Sequence, residues 1–308
     1  MTRKKDNDLW FNRCFSNQLL KSLEHFSPSN LEIMKNPYVD LNVHNSYFES
    51  ISKIYSYMAE NHRNEYFYKN ELFNQLVLPK LKDHRVGALK EWRLGKAICD
   101  FITLDQANDN NSTVWEIKSD LDTLKRLPEQ IRQYYKAFAN VSILTKQGYL
   151  EDVEKIVFPE TGLYFLDKNN QIQCVRSATA KLDLLVPYAI YRLWRVNERD
   201  VITKLEIPYY RHNMSNDKSL WRDLYQRQAC MSLDINSILR MTNELLTDRC
   251  HTNRTPTYDE LIALPRALRE WFYFAKMLPK QRKKLVENCN NKKKKKKEDT
   301  NHGNEKIN

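Results

Sequence analysis

The chain has 308 residues, a formal net charge of +11 at pH 7, five glycines that form no GxxxxGK or GxGxxG loop, and six cysteines without a CxxC pair. These features, with the absence of HExxH spacing and of any apolar run of about 18 residues, argue against a P-loop protein, a disulfide framework, a zinc hydrolase and a membrane span. We therefore expect a cytoplasmic protein whose positive charge suits nucleic acid, although plain solubility explains that charge about equally well.

The first 62 residues are predicted to form a helical N-terminal region. Apolar side chains recur at helical spacing from Leu9 to Leu23 and again from Phe48 to Met58. Pro28 and Pro37 interrupt the pattern between the two runs. We expect these helices to pack on the following domain or to form a lid on it, with packing favoured.

Residues 63–177 are predicted to form an α/β core. Residues 65–78 show helical periodicity, with Glu71 beside the apolar face. The later periodicities alternate between strand and helix, which favours a mixed sheet between helices. The predicted elements are strands 88–94, 95–104 and 114–118, helix 121–138, strand 141–145, helix 150–158, and a hairpin of 162–166 with 171–175.

Three charged residues in two of these strands form the candidate site. Glu116 and Lys118 are two residues apart, so they point to the same face of their strand. The polar segment 105–113 predicts a hairpin loop that brings Asp100 beside them. Two carboxylates and a lysine suit a hard divalent cation and a phosphate substrate. The pattern therefore predicts a metal site at the end of this hairpin.

The helix that follows carries a second polar set. Gln130 and Tyr134 lie one turn apart on the same face, where they can bond Lys118 or a nucleic-acid backbone, although packing is equally plausible for Tyr134. Asp120 and Asp122 stand at the predicted helix start. We favour capping of the helix over metal contact for both aspartates.

Asp100 followed by Glu116-Ile117-Lys118 resembles the active-site signature of the PD-(D/E)xK nuclease superfamily, which has the restriction-endonuclease-like fold. Gln130 and Tyr134 resemble the QxxxY motif of its exonuclease-type members. Tyr68 to Glu71, Glu91, Gly95 to Ala97 and the run EIKSDLDTLKRLPEQ are similar to a largely uncharacterised bacterial family within that superfamily. The resemblance covers about residues 65–176 and implies a mixed sheet flanked by helices.

This resemblance implies a Mg²⁺- or Mn²⁺-dependent phosphodiesterase that cleaves nucleic acid, most plausibly DNA, in the kind of family that acts in defence against foreign DNA. Asp100 and Glu116 would hold the metal, helped by the Ile117 carbonyl and by Glu71 or Glu91, and Lys118 would position or activate water. Either of those two glutamates could equally be a solvated surface residue. Gln130 and Tyr134 would support the site. The basic residues expected to contact nucleic acid are Lys69, Lys96 and Arg126.

Residues 178–290 are predicted to form a helical accessory region rich in aromatic and arginine side chains, suited to DNA binding or to self-association as a homodimer. Ordinary burial of those aromatics is the favoured explanation. The tail 291–308, with seven lysines, is expected to be disordered.

Two alternatives to a nuclease remain open. The same fold could bind nucleic acid or a protein without cleaving it, or the charged pairs could be purely structural. A cleavage assay with increasing metal distinguishes the binding module from a nuclease. Calorimetry distinguishes the structural protein, because such a protein should bind no metal.

Overall fold

The computed structural model describes residues 10–16, 39, 46–82, 86–105, 111–199, 226–228 and 230–290. The predicted helical run through 19–23, the loop centre 106–110 and the lysine-rich tail lie outside these ranges. Within them the protein is a mixed α/β structure with a six-stranded sheet flanked by helices. No helix among the described residues is long and apolar enough to cross a bilayer.

The six strands lie side by side in chain order. They are β1 Val86–Leu94, β2 Ala97–Asp105, β3 Asn111–Lys118, β4 Asn140–Lys146, β5 Gly162–Leu166 and β6 Ile172–Arg176. β3, β4 and β5 run parallel, whereas the pairs β1–β2, β2–β3 and β5–β6 are antiparallel. The predicted succession of helix, three strands, helix, strand, helix and hairpin is therefore present.

Two hairpins at the start of the sheet follow from local sequence. The pairing of Leu94 with Ala97 leaves a two-residue turn, and Gly95 adopts φ +60° there, a conformation that glycine reaches without a steric penalty. Pairing of Asp105 with Asn111 closes the predicted hairpin between β2 and β3. These turns place the beginning of β2 next to the end of β3.

One face of the sheet is covered by helices from both ends of the chain. Phe101 and Trp115 from the sheet share a buried core with Phe67 and Phe73, and with Trp271 from the C-terminal region. Burial of each such side chain contributes roughly 1.5–3 kcal/mol. The helices on this face are α1 Tyr47–Asn61, α2 Glu65–Leu72 with its continuation through a π-turn Phe73–Val77 to Leu78–Leu81, and, later in the chain, Tyr258–Ile262, Arg269–Phe274 and Pro279–Asn290.

The opposite face carries a second core, formed by sheet residues such as Ile102 and Val114 together with Tyr134 and Trp194. A Cβ at Gly87 would lie 2.5 Å from the Cβ of Cys250, so glycine is needed for the close approach of the longest helix here. The helices on this face are α3 Leu127–Tyr134, α4 Leu150–Ile156, α5 Pro187–Tyr191 and α6 Ile235–Cys250.

The three C-terminal helices named above on the first face are numbered α7 Tyr258–Ile262, α8 Arg269–Phe274 and α9 Pro279–Asn290. The described residues of the N-terminal and C-terminal regions thus contribute to cores that they share with the sheet. All six cysteines are free.

The helix predicted over 121–138 is shorter than expected. Helix α3 runs from Leu127 to Tyr134, and residues 121–126 form turns. Pro128 explains the late start, because proline has no N–H and its ring would clash with the carbonyl of a preceding helical turn. It suits the first turn of a helix, where that N–H is not needed.

Candidate active site

The candidate site lies where β2 and β3 part. Their pairing ends at Phe101 and Trp115; the preceding residues of β2 stay with β1, while β3 continues alongside β4. The main-chain N–H of Ile117 donates to Asp100 Oδ2 at 2.8 Å. The Asp100 carboxylate thus takes the place of a backbone acceptor in the gap between the strands.

Glu116 and Lys118 point into the same gap, as their spacing in β3 predicted. Both side chains are buried, and Lys118 Nζ lies 2.6 Å from Glu116 Oε1. The N–H of Ile117, which holds Asp100, lies between these two residues in the chain. The structure therefore brings the predicted trio of two carboxylates and one lysine into one pocket.

Helix α3 fixes the orientation of Glu116. Gln130 Nε2 donates to Glu116 Oε1 at 2.6 Å, and Gln130 Oε1 accepts from Lys118 Nζ at 3.0 Å. The Tyr134 hydroxyl contacts Glu116 Oε2 through a short hydrogen bond. Gln130 therefore contacts Lys118, as predicted, and also Glu116, whereas Tyr134 contacts Glu116 instead of Lys118. The spacing of four residues places both on one helix face.

Tyr134 is held in its neutral form. Burial, followed by the negative charge of Glu116, raises the pKa of its hydroxyl far above the usual range. The same hydroxyl lies 2.9 Å from the carbonyl oxygen of Ile98 in β2. Tyr134 thus links α3 to both strands at the point where they part.

Asp100 is harder to ionise than an ordinary aspartate. Burial, and then the nearby Glu116 charge, raise its pKa to about 7, against the opposing influence of Lys69 and the Ile117 N–H. Two carboxylates that share a pocket disfavour each other's charge unless a cation compensates them. Burial and the neighbouring Glu116 thus outweigh the two groups that favour the ionised form of Asp100.

Lys69 is the second buried lysine of the site. Its Nζ lies 2.5 Å from Glu65, 3.4 Å from Asp100 and 3.6 Å from Glu91. Burial lowers the pKa of the Lys69 ammonium, but the three carboxylates outweigh it and raise the pKa above the usual value. Lys69 was predicted to contact nucleic acid; in the structure it bridges α2, β1 and β2 through carboxylates.

Glu91, one of the two glutamates considered as additional metal ligands, does face the site. It adopts φ +54°, a left-handed conformation that is rare for residues other than glycine and costs on the order of 1 kcal/mol or more. The register of β1 with β2 is the same at Lys90–Phe101 and at Trp92–Cys99, so Glu91 lies opposite Asp100. This backbone turn directs its carboxylate towards Lys69.

Glu71, the other candidate, lies away from the site, so its predicted metal role is not supported by its position. It is buried, accepts hydrogen bonds from Tyr55 and Gln75, and pairs with Arg266. The carboxylate that α2 contributes to the site is Glu65, which the sequence analysis missed. The sequence does contain a signal for Glu65, because Glu65 and Lys69 are four residues apart and lie on one helix face. Glu71 lies on the opposite face of the same helix.

The aspartates after β3 do not cap the helix as predicted. Asp122 Oδ2 accepts from the N–H and hydroxyl of Ser119, which closes a turn directly after the site. Asp120 binds Arg63 and accepts from the Tyr68 hydroxyl at 2.7 Å. Because α3 begins only at Leu127, both aspartates hold the connecting loop in place instead of the helix terminus.

The trio opens into a cleft of about 790 Å³. The two carboxylates, the Ile117 backbone and Lys118 line it, and besides Lys69 four further cationic side chains line it from two connections. Those from the β1–β2 hairpin are Arg93 and Lys96, and those from the β3–α3 connection are Lys125 and Arg126. Lys96 and Arg126, predicted to contact nucleic acid, therefore both line this cleft.

A closed metal cage is absent: among the described residues, no three His, Cys, Asp or Glu side chains are grouped to hold a metal ion. Mg²⁺ is usually held by only one or two protein carboxylates, with water and substrate phosphate as its other ligands. Asp100 and Glu116 supply that smaller set of oxygen donors, and both line the same cleft. The residues present therefore fit such an ion.

Comparison with known proteins identifies a family whose model matches this chain. The model for a family described as bacteriophage P4 protein cII matches residues 58–249, which include all the residues of the site. A solved structure of a protein of unknown function from Silicibacter pomeroyi is 16% identical, with a TM-score of 0.29 over 41% of this chain and 77% of that chain. No curated protein matches.

Proposed function

The chain belongs to the bacteriophage P4 protein cII family, and we propose that it is a divalent-metal-dependent nuclease that hydrolyses phosphodiester bonds, with DNA as its substrate. The observation that carries the proposal is the convergence of Asp100, Glu116 and Lys118 in one cleft at the parting of two strands. The order of helices and strands agrees with the restriction-endonuclease-like fold that the resemblance implies.

In this proposal Asp100 and Glu116 would hold a Mg²⁺ or Mn²⁺ ion, and the Ile117 carbonyl would be a further donor. The ion, when bound, supplies Lewis acidity and neutralises charge on the phosphate. Lys118 donates to the attacking water or to the phosphate oxygen, and its two acceptors, Glu116 and Gln130, keep its ammonium in place.

The remaining residues hold this arrangement. Tyr134 and Gln130 fix the Glu116 carboxylate, and the Ile117 N–H fixes Asp100. The cations that line the cleft, Lys96 and Arg126 among them, would attract the nucleic-acid backbone. As a cytoplasmic protein it would meet foreign DNA there, alone or as a homodimer.

A panel of linear, circular, single-stranded and branched DNA and RNA, incubated with Mg²⁺, Mn²⁺ or EDTA, tests the proposal. Cleavage is expected only with metal, and Asp100→Ala, Glu116→Ala and Lys118→Ala should each abolish it in folded protein. Glu154→Ala, at an exposed surface position, serves as the control. Full activity in all three site variants would refute the assignment.

A non-cleaving binding module is the second candidate, and one observation favours it. The Lys69 ammonium already occupies the space between three carboxylates, and Glu116 already accepts hydrogen bonds from three donors. With Lys69 beside Asp100 and three donors already on Glu116, such a site could bind nucleic acid at its basic rim without recruiting a metal. In that case the panel would show salt-dependent binding but no cleavage at any metal concentration.

A further inference from the structure

A second cavity adjoins the cleft. It has a volume of about 430 Å³, within the range of roughly 300–1,000 Å³ typical of small-ligand sites. Four residues line both spaces, which places the two on either side of the Lys69 bridge: Glu65, Lys69, Glu91 and Asp122. We call this space the side cavity.

Aromatic rings supply the apolar part of the side cavity. Phe15 and Tyr66 stack at a centroid distance of 4.3 Å with an angle of 22° between their planes, and Trp271 lies beside them in the lining. The Tyr66 hydroxyl is engaged by the Ala267 carbonyl at 2.5 Å, so Tyr66 contributes its ring to the cavity. Flat apolar surfaces of this kind suit a planar aromatic ligand.

The charges of the side cavity decide which planar ligand fits. Two lysines, Lys69 and Lys90, face four carboxylates. These carboxylates belong to Glu65, Glu91, Asp122 and Glu270. The excess of negative charge repels a phosphate group, whereas carboxylate oxygens accept hydrogen bonds from the exocyclic amino groups of bases, as they do from N4 of cytosine. A neutral, amino-bearing ring therefore matches both the shape and the charge.

Glu270 is the carboxylate whose position is best fixed for accepting a hydrogen bond from the amino group of a base. It is only 2% exposed, and its Oε1 lies 3.2 Å from Lys90 Nζ, another lining residue of the side cavity. A buried carboxylate in a fixed position discriminates strongly between a ligand that donates to it and one that does not.

We propose that the side cavity is a subsite for one amino-bearing nucleobase (cytosine, adenine or guanine) of the strand whose phosphate lies in the cleft. The inference rests on the proposed nuclease function for its substrate. A base in the side cavity cannot remain stacked and paired in a duplex, because it must pass the Lys69 bridge. The preferred substrate is therefore single-stranded, or carries a frayed or unpaired end.

Nucleosides test the subsite without any cleavage, because they lack a phosphate. Calorimetric titration of the full chain should show saturable binding of cytidine, and uridine, which lacks the amino group, should bind on the order of tenfold more weakly. Leu121→Trp and Ser16→Trp, at partly exposed lining positions, should fill the side cavity and abolish cytidine binding. Thr123→Trp, two residues further along the same loop and outside both linings, should bind cytidine as the parent does.

Equal binding of uridine and cytidine, an absence of saturation, or unchanged binding in both plugged variants would overturn the subsite. Cleavage assays separate this outcome from a failure of the proposed nuclease. A protein that cleaves with metal but binds no nucleoside lacks the subsite, and one that binds cytidine selectively without cleaving any substrate refutes the catalytic assignment alone. In an active enzyme, the plugged variants should lose cleavage of single strands.

Discussion

The main-chain N–H of Ile117 and the carboxylate of Asp100 are joined by a hydrogen bond of 2.8 Å across the gap between two strands. In an antiparallel pair this N–H would bond a neighbouring backbone carbonyl. The parting of the strands leaves it to a side chain instead, and that side chain also faces Glu116. A single hydrogen bond thereby sets the position of one acid relative to the other.

This relationship predicts how Asp100 affects stability. Its pKa is raised to about 7 in the folded chain, whereas an unfolded aspartate titrates near 3.8. The folded state therefore binds the proton more tightly, so this group lowers the free energy of unfolding as pH rises from about 4 to 7. Asp100→Asn, which still accepts from the Ile117 N–H, should stabilise the metal-free protein at pH 8 by on the order of 1–3 kcal/mol.

Urea denaturation in EDTA at pH 8 and pH 4 measures the effect. The gain of Asp100→Asn should be present at pH 8 and largely lost at pH 4, where Asp100 is neutral in the folded protein. Asp152→Asn, at an exposed position on α4, is the control. A variant less stable than the parent at pH 8 would show that Lys69 compensates the Asp100 charge fully.

Metal binding should show the complementary pH dependence. Mg²⁺ or Mn²⁺ must displace the proton from Asp100, so affinity should fall as pH decreases through 7, by about tenfold for each pH unit below it. Isothermal titration calorimetry at pH 8, 7 and 6, in buffers of different ionisation enthalpy, measures both the affinity and the proton released. An affinity that is flat over this range would place the metal away from Asp100.

Tyr134 should support catalysis without being required for folding. Tyr134→Phe removes the hydroxyl that contacts Glu116 and the Ile98 carbonyl, which costs about 1 kcal/mol of stability and should lower kcat by about 10- to 100-fold. Tyr135→Phe is the matched control, because that neighbouring hydroxyl bonds Thr161 and lies outside the cleft. Equal loss in both variants would indicate a packing effect alone.

Lys69 should compete with the metal. Lys69→Met removes the ammonium that bridges Glu65, Glu91 and Asp100, so their mutual repulsion should lower the melting temperature of the metal-free protein. Mg²⁺ should then restore stability and bind the variant more tightly than it binds the parent. Thermal unfolding with and without Mg²⁺ measures this, and a variant that Mg²⁺ fails to stabilise would contradict it.

Much of the core could be predicted because its periodicities are strong and local. The alternation that places Glu116 and Lys118 on one strand face, and the four-residue spacing of Gln130 and Tyr134, depend only on backbone geometry. The predicted strands agree with the observed ones to within a few residues at each end. The hairpin loop then left few ways to arrange Asp100 relative to them.

The parts that sequence did not reveal depend on contacts between distant segments. In the sequence, Glu71 is a charged residue beside an apolar helix face. Only the fold shows that it pairs with Arg266, which lies 195 residues later in the chain. The left-handed backbone conformation of Glu91 cannot be recognised from a single sequence. The start of α3 was missed for a different reason, because the helical periodicity outweighed the Pro128 signal that was present.

The contrast between Glu65 and Glu71 gives the final prediction. Glu71→Gln breaks the ion pair between the buried Glu71 and Arg266, whose side chain is 43% exposed, so the fold should lose roughly 1.5–3 kcal/mol while the activity of the folded protein stays unchanged. Glu65→Gln removes a half-exposed carboxylate from Lys69 and the cleft, so stability should change by less than about 1 kcal/mol while metal-dependent cleavage falls. Urea denaturation and cleavage rates at saturating Mg²⁺ measure both quantities. If Glu71→Gln instead lost activity at full stability, the metal role first expected for Glu71 would stand and Glu65 would be the structural residue.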